Sequence, residues 1–210
     1  MLHATMNLTQ NHNIVIFGGT FDPIHYGHLN ISTAVQDFFN FESFIFLPCK
    51  IQVLKNTIPV NQVHRVTMLE LACENYPKKY NFLIDSQEIS RKSPSYMVLT
   101  LRNYRKKLGP NVSITLMLGV DSFNQLSQWY QWRHIISLAN LLVIHRPGYI
   151  PAWNTSPNGV IDYFNAGEYA ISSTKVRQEL ANRPLKYDKI PTNVYDYIVS
   201  HNLYTSSAER

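Results

Sequence analysis

Cysteine is nearly missing from this chain. Its 210 residues carry only Cys49 and Cys73, in unrelated contexts, which speaks against a disulfide framework and against a zinc site and points to a reducing compartment. No apolar run approaches the roughly 18 residues needed to span a membrane. Residues 1–12 lack both the basic start and the apolar middle of a secretion signal. These absences predict a soluble, cytoplasmic protein with no membrane partner, a flexible extension over 1–12 and a polar tail over 205–210. Acidic residues are also short: 14 Asp and Glu against 19 Lys and Arg give a formal charge of +5 and a pI near 9.1, a balance that favours anionic partners. Long basic stripes interleaved with aromatics are lacking, so the reading is of no nucleic acid partner. The most basic stretch, Arg102-Asn103-Tyr104-Arg105-Lys106-Lys107, closes a helix-like segment, where cations suit the negative end of the helix dipole.

With 45% apolar side chains the chain can bury one sizeable core, and a single domain over 13–204 is expected. Short apolar, β-branched or aromatic runs at 14–17, 44–47, 82–84, 112–118 and 141–144 read as buried strands. Between them, helical spacing recurs at 29–39, 63–74, 96–107 and 129–138. Strands alternating with helices of this length predict a doubly wound, Rossmann-like α/β fold: a parallel sheet with right-handed crossovers and helices on both faces. Ligands of such sheets gather beyond the carboxyl ends of the strands, so loops starting at Gly18, Pro48, Gly119 and Arg146 should converge. Residues 147–167, rich in Pro, Gly and Asn, read as a long irregular surface loop. A short strand over 169–171, a capped helix from Ser172 or Ser173 and a last helix over 192–201 form a small helical C-terminal subregion. Self-association into a homo-oligomer is compatible with the sequence.

The first strand runs into Gly18-Gly19-Thr20-Phe21-Asp22-Pro23-Ile24-His25-Tyr26-Gly27-His28, ahead of the helix expected from Leu29. Two glycines let the backbone turn tightly and approach a ligand, and amides at a helix start point at an anion. His25 and His28, spaced three apart around Gly27, can face one phosphate and stabilise charge as phosphorus is attacked. The string has the spacing neither of a GxGxxG turn nor of a GxxxxGKS/T phosphate loop. Far along the chain, Ile171-Ser172-Ser173-Thr174-Lys175-Val176-Arg177 reads at its simplest as a helix cap. The same residues can present hydroxyls, amides and an arginine to a triphosphate.

The first string matches GGTFDPxHxGH without a substitution, and the second matches ISSTxxR. Together they resemble the two signatures of the nucleotidylyltransferase superfamily. Met68-Leu69-Glu70-Leu71-Ala72, Ser93-Pro94-Ser95-Tyr96 with Thr100-Leu101, Gly119-Val120-Asp121-Ser122, Trp129-Tyr130 and Arg146-Pro147-Gly148-Tyr149 narrow the resemblance to bacterial nicotinate-nucleotide adenylyltransferases. That resemblance implies transfer of AMP from ATP to nicotinate mononucleotide, giving deamido-NAD and pyrophosphate, with Mg²⁺ carried by the ATP phosphates and no protein metal ligand. It implies catalytic roles for His25, His28 and Arg177. ATP would meet Gly18, Gly19, Thr20, Phe21, His25, His28, Gly119, Asp121, Ile171, Ser173, Thr174 and Arg177. The mononucleotide would meet Gly19, Lys55, Ser95, Tyr96, Trp129, Tyr130 and Arg146, with Trp129 stacked on the pyridine. Without the resemblance, Trp129 reads as a packing aromatic, Asp121 as a cap of the next helix and Lys55 as a solvated side chain. His64, His134, His145 and His201 match no motif.

The chain departs from the family in two places. Where relatives carry PxxxPPHK, it reads Pro48-Cys49-Lys50-Ile51-Gln52-Val53-Leu54-Lys55, and Ser-Tyr-Thr becomes Ser95-Tyr96-Met97. Methionine supplies no hydroxyl, so a pyridine carboxylate would rely on backbone amides. The alternatives are nicotinamide mononucleotide or a phosphopantetheine-type phosphate as acceptor, a cytidylyltransferase of the same fold, or a nucleotide-binding protein without catalysis.

Overall fold

The computed structural model describes residues 13–50, 59–145, 161–167, 171–184 and 187–205. Side chains alternate across a strand, and the first strand shows what this does to the layering. Ile14 and Ile16 enter one apolar core, while Val15 enters a second one with Phe17 packed against it. A strand apolar on both sides must be covered on both sides.

In chain order the elements are β1 (Asn13–Gly19), α1 (Tyr26–Phe39), β2 (Ser43–Pro48), α2 (Gln62–Glu74), β3 (Phe82–Ile84), α3 (Gln87–Ser90), α4 (Met97–Leu108), β4 (Ser113–Gly119), α5 (Val120–Asn124), α6 (Trp132–Leu138), β5 (Asn140–Ile144), β6 (Ile161–Phe164), α7 (Ser173–Leu180) and α8 (Thr192–Ser200). The six strands stand in the order β3-β2-β1-β4-β5-β6, and every pairing is parallel. Helices α4, α5 and α6 contribute Leu101, Phe123 and Ile135 to one core. On the other face α1, α2, α7 and α8 contribute Leu29, Met68, Val176 and Ile198. The chain winds outward in both directions from β1 and β4, so the switch point lies at their carboxyl ends.

The doubly wound parallel sheet expected from the sequence is present. Three expectations need correction. Strand β6 lies within 147–167, which reads as an irregular loop. Its run Ile161-Asp162-Tyr163-Phe164 is short and interrupted by a charge, yet Leu141 to Ile144 of β5 align with it residue for residue. Helix α6 begins at Trp132 instead of Trp129, because Leu126–Gln128 form a 3-10 turn and Trp129 is extended. Helix α1 begins at Tyr26, a turn before Leu29, so His28 lies inside it. Of the strand expected over 169–171, residues 169–170 lie outside the described residues and Ile171 is not in a strand.

The basic end of α4 includes one arginine that joins neighbouring elements. Arg105 donates to the carbonyls of Leu138 at 2.9 and 2.7 Å and of Val112 at 2.5 Å, tying α4 to the end of α6 and the entry of β4. His64 and His201 flank Tyr197 where α2 meets α8: His64 Nδ1 lies 2.8 Å from the Tyr197 hydroxyl, and the His201 ring stacks on Tyr197 at 4.0 Å.

Phe46 of β2 is fully buried and its ring meets those of Phe17, Phe21, Phe44 and Phe82. Phe46→Ala should cost about 3–5 kcal/mol of stability, the usual range for deleting a buried ring. Denaturant unfolding should show an earlier midpoint with an unchanged slope.

Candidate active site

The turn from β1 to α1 leaves several carbonyls that no regular structure satisfies, and other parts of the chain supply the donors. The Cys49 amide donates to Gly19 O at 2.9 Å, and Arg65 Nη1 donates to Thr20 O at 2.5 Å. Arg177 Nη1 donates to Asp22 O at 2.8 Å, and Ser173 Oγ donates to Pro23 O at 3.3 Å. Between these points Phe21 adopts φ 49°, and its ring, 2% exposed, packs edge-on against Phe17 and Phe46. A Cβ at Gly19 would stand 2.8 Å from that ring, which is why the position is glycine. Any contact Phe21 makes with a nucleotide is therefore through its backbone.

His25 is the N-cap of α1 and 3% exposed. Its backbone N–H donates to His28 Nδ1, and the His28 N–H donates to His25 Nδ1, both at 3.3 Å. The two rings stack with centroids 3.7 Å apart. This is a capping box built from histidines instead of Ser and Glu. Because both Nδ1 atoms accept, the bonding pattern assigns the ring proton to Nε2 in each neutral ring. A Cβ at Gly27 would lie 2.9 Å from His25 Nδ1 and 3.3 Å from Ile171 Cβ, so the glycine lets the histidine pair and Ile171 close on the helix start.

Helix α7 brings the second motif onto the first. Ser172 caps it by accepting from the Lys175 amide at 3.3 Å. Ser173 and Arg177 then reach the 22–23 backbone, and Arg177 Nη2 also donates to Thr174 Oγ1 at 3.4 Å. The Asp22 carboxylate stands 3.8 Å from Arg177 Nη1. At the end of β4, beside β1, Gly119 is the N-cap of α5 and Asp121 lies in the first turn, so the reading of Asp121 as a cap is corrected. Asp121 Oδ1 folds back to 2.6 Å from where a Gly119 Cβ would be.

A further wall comes from the end of β2 and the start of α4. The Lys50 amide donates to Ser95 Oγ at 3.0 Å. Met97 Cε lies 3.0 Å from a Cβ built at Gly18, placing apolar bulk beside the first glycine. Tyr96 and the half-exposed Tyr130 pair with centroids 4.7 Å apart, and Trp129 packs partly buried on the core. Lys55, Leu54 and Arg146 lie outside the described residues.

Two important residues carry no motif. Arg65 is 0% exposed and donates to Val60 O at 3.0 Å, Thr20 O at 2.5 Å and Lys50 O at 2.9 Å. Burial pulls its pKa below the ordinary arginine value. Its signal in the sequence is a charge three and four residues from Met68 and Leu69, on the stripe that faces the core. Glu88, 2% exposed, accepts from Thr100 Oγ1 at 2.6 Å and is also hydrogen-bonded by Ser95.

Burial pushes the Glu88 pKa above its ordinary value of 4.5, against the opposing effects of Thr100, Arg91 and Ser95. A group with a raised folded pKa contributes stability that is complete below its unfolded pKa and is lost as pH rises through the folded one. Wild-type stability should therefore fall from pH 4.5 upward over the titration of Glu88. Glu88→Gln, which keeps an acceptor for Thr100, should flatten that fall; urea midpoints measured across the range would read it.

Comparison with known proteins gives a consistent answer. The cytidylyltransferase-like family model matches residues 16–179. A protein of Legionella pneumophila (strain Lens) named "Probable nicotinate-nucleotide adenylyltransferase" is 43% identical, over 92% of this chain and 99% of its own. A protein of the same name from Marinomonas sp. (strain MWYL1) is 32% identical, over 95% of this chain and 100% of its own. Among solved structures, the Plasmodium falciparum nicotinic acid mononucleotide adenylyltransferase complexed with NaAD superposes with a TM-score of 0.71, at 23% identity, over 92% of this chain and 97% of that one; at that identity the likeness speaks for the fold. The chain is a member of the cytidylyltransferase-like family and, within it, of the nicotinate-nucleotide adenylyltransferases.

Proposed function

We propose that the chain transfers AMP from ATP to nicotinate mononucleotide, giving deamido-NAD and pyrophosphate in NAD biosynthesis. The observation that carries this reading is the clasp between the two motifs: Ser173 and Arg177 are hydrogen-bonded to the 22–23 backbone across 150 and 155 residues of sequence. The β1–α1 turn, the His25–His28 pair and the start of α7 are thereby held together. The relatives that cover nearly the whole chain carry the same activity in their names.

In this reading a 5′-phosphate oxygen of the mononucleotide attacks the α-phosphorus of ATP in line. The new P–O bond forms as the bond to the bridging oxygen of pyrophosphate breaks, with no covalent enzyme intermediate. The nucleophile is already ionised at neutral pH, so the protein's task is to hold two anions together and stabilise the charge spreading over the phosphorus oxygens. The Nε2–H tautomer suits His25 and His28 to donate to those oxygens and not to accept a proton. Gly18, Gly19 and Thr20 offer backbone, Asp121 reaches the adenylate ribose, and Ser173, Thr174 and Arg177 hold the triphosphate. Ser95, Tyr96, Trp129 and Tyr130, with Lys55 and Arg146, take the mononucleotide.

Mg²⁺ neutralises triphosphate charge and makes pyrophosphate a better leaving group when bound. Among the described residues no three His, Cys, Asp or Glu side chains gather as a metal site, and Asp22 is engaged by Tyr204 and Arg177. In the proposed reaction the ion is carried by the ATP phosphates and water. The two free cysteines and the use of ATP support a cytoplasmic setting. No helix among the described residues is long and apolar enough to cross a membrane.

His28→Ala should lower kcat by about a hundredfold or more, the scale of losing one transition-state donor. Pyrophosphate release from Mg-ATP with nicotinate or nicotinamide mononucleotide, together with product mass, measures both the effect and the acceptor preference. Near-normal turnover of a folded His28→Ala protein, or no release by wild type with either acceptor, would sink the proposal.

A further inference from the structure

We propose that Tyr204, near the end of the described chain, is a positioning residue for Arg177, setting its readiness for the ATP phosphates through Asp22. The inference rests on the reading of Arg177 as a phosphate ligand. The chain after α8 reverses through left-handed Asn202 and Tyr204, at φ 52° and 60°, and the Leu203 amide returns to Ile198 O at 3.0 Å. That reversal carries the Tyr204 ring under the β1–α1 turn, 182 residues from its partner, where its hydroxyl donates to Asp22 Oδ1 at 2.7 Å.

Asp22 is 6% exposed; beyond the nearby charge of Arg65, its two carboxylate oxygens face Tyr204 and Arg177. Oδ1 is held by Tyr204, while Oδ2 stands 3.8 Å from Arg177 Nη1, too long for a hydrogen bond. The same Arg177 nitrogen is fixed instead on the Asp22 backbone carbonyl at 2.8 Å. An arginine and a carboxylate this close ordinarily close into a two-pronged pair. Tyr204 holds one prong of the carboxylate away. The guanidinium therefore stays anchored on neutral oxygens, the Asp22 carbonyl and Thr174 Oγ1, with its charge less fully compensated and available to an arriving anion. Burial, then the Asp22 charge, keeps the Tyr204 phenol far above its ordinary pKa, so it remains a donor throughout the neutral range.

Without the hydroxyl, the carboxylate is released to pair with Arg177 and competes with phosphate. Tyr204→Phe should raise the KM for Mg-ATP by about tenfold, the equivalent of one charge-assisted contact. The KM for the mononucleotide and kcat should each stay within about twofold. The same loss should appear in the Kd of Mg-ATP measured by calorimetry, which needs no turnover. Tyr204→Phe/Asp22→Asn, in which no carboxylate is left to compete, should bind Mg-ATP within about twofold of Asp22→Asn alone. A merely structural tyrosine would lower the melting temperature and the active fraction while leaving the ATP and mononucleotide constants unmoved. That outcome, an equal shift in both constants, a penalty undiminished by Asp22→Asn, or a Tyr204→Phe chain without a cooperative unfolding transition would each overturn the inference. Failure of wild type to turn over any pyridine mononucleotide would count against the proposed reaction, while the calorimetric comparison would still decide the role of Tyr204.

Discussion

The structure depends most on how the carbonyls of the β1–α1 turn are satisfied. A strand that stops and a helix that starts within a few residues leave backbone oxygens without ladder partners. Here those of Gly19, Thr20, Asp22 and Pro23 are taken by the Cys49 amide, Arg65, Arg177 and Ser173. The donors come from the β2 end, α2 and α7, so one short turn gathers elements from three regions of the chain. Fixing its carbonyls from outside leaves the turn little freedom to rearrange when a ligand arrives. Such preorganisation is how a site stabilises developing charge without reorganising at the moment of reaction.

The price is a buried cation. None of the ion pairs among the described residues includes Arg65, and taking a guanidinium out of water costs several kcal/mol unless its donors are used. Arg65 uses them on three carbonyls, two of which, Lys50 O and Val60 O, stand at either side of residues 51–58. Arginine suits this because its planar fork can hold several oxygens at once, which a lysine cannot. The cost also has a return: with Arg177, it places positive charge behind the turn proposed to hold anionic substrates, and only Asp22 opposes it within the turn.

The sequence reveals the layering and the motif residues for plain physical reasons. Parallel strands buried on both faces read as continuous apolar runs, and glycines and histidines in a fixed string have few other uses. What it conceals is equally physical. Among the described residues strand β6 pairs with one neighbour, β5, so its residues need not be uniformly apolar. Trp129 stands beside a helix start without joining it, because propensity does not reveal where a 3-10 turn ends. Arg65, Glu88 and Tyr204 matter through partners 12 to 182 residues away, and a lone charge on an amphipathic helix or a tyrosine near the end of the chain has a bland default reading. Lys55 and Arg146 remain sequence-level candidates.

Local rules are broken where the chemistry is proposed to occur. Histidine is a poor helix cap beside Ser, Thr or Asp, yet His25 caps α1 and His28 answers it. A bulky residue at positive φ is costly, yet Phe21 sits there with its ring in the core. A better cap at position 25 would strengthen the helix and remove an imidazole from the turn. An easier backbone at position 21 would forgo the ring that closes against Gly19 and His28. Both compromises fall within one turn, and a packed core on either side of the sheet supplies the stability that allows them.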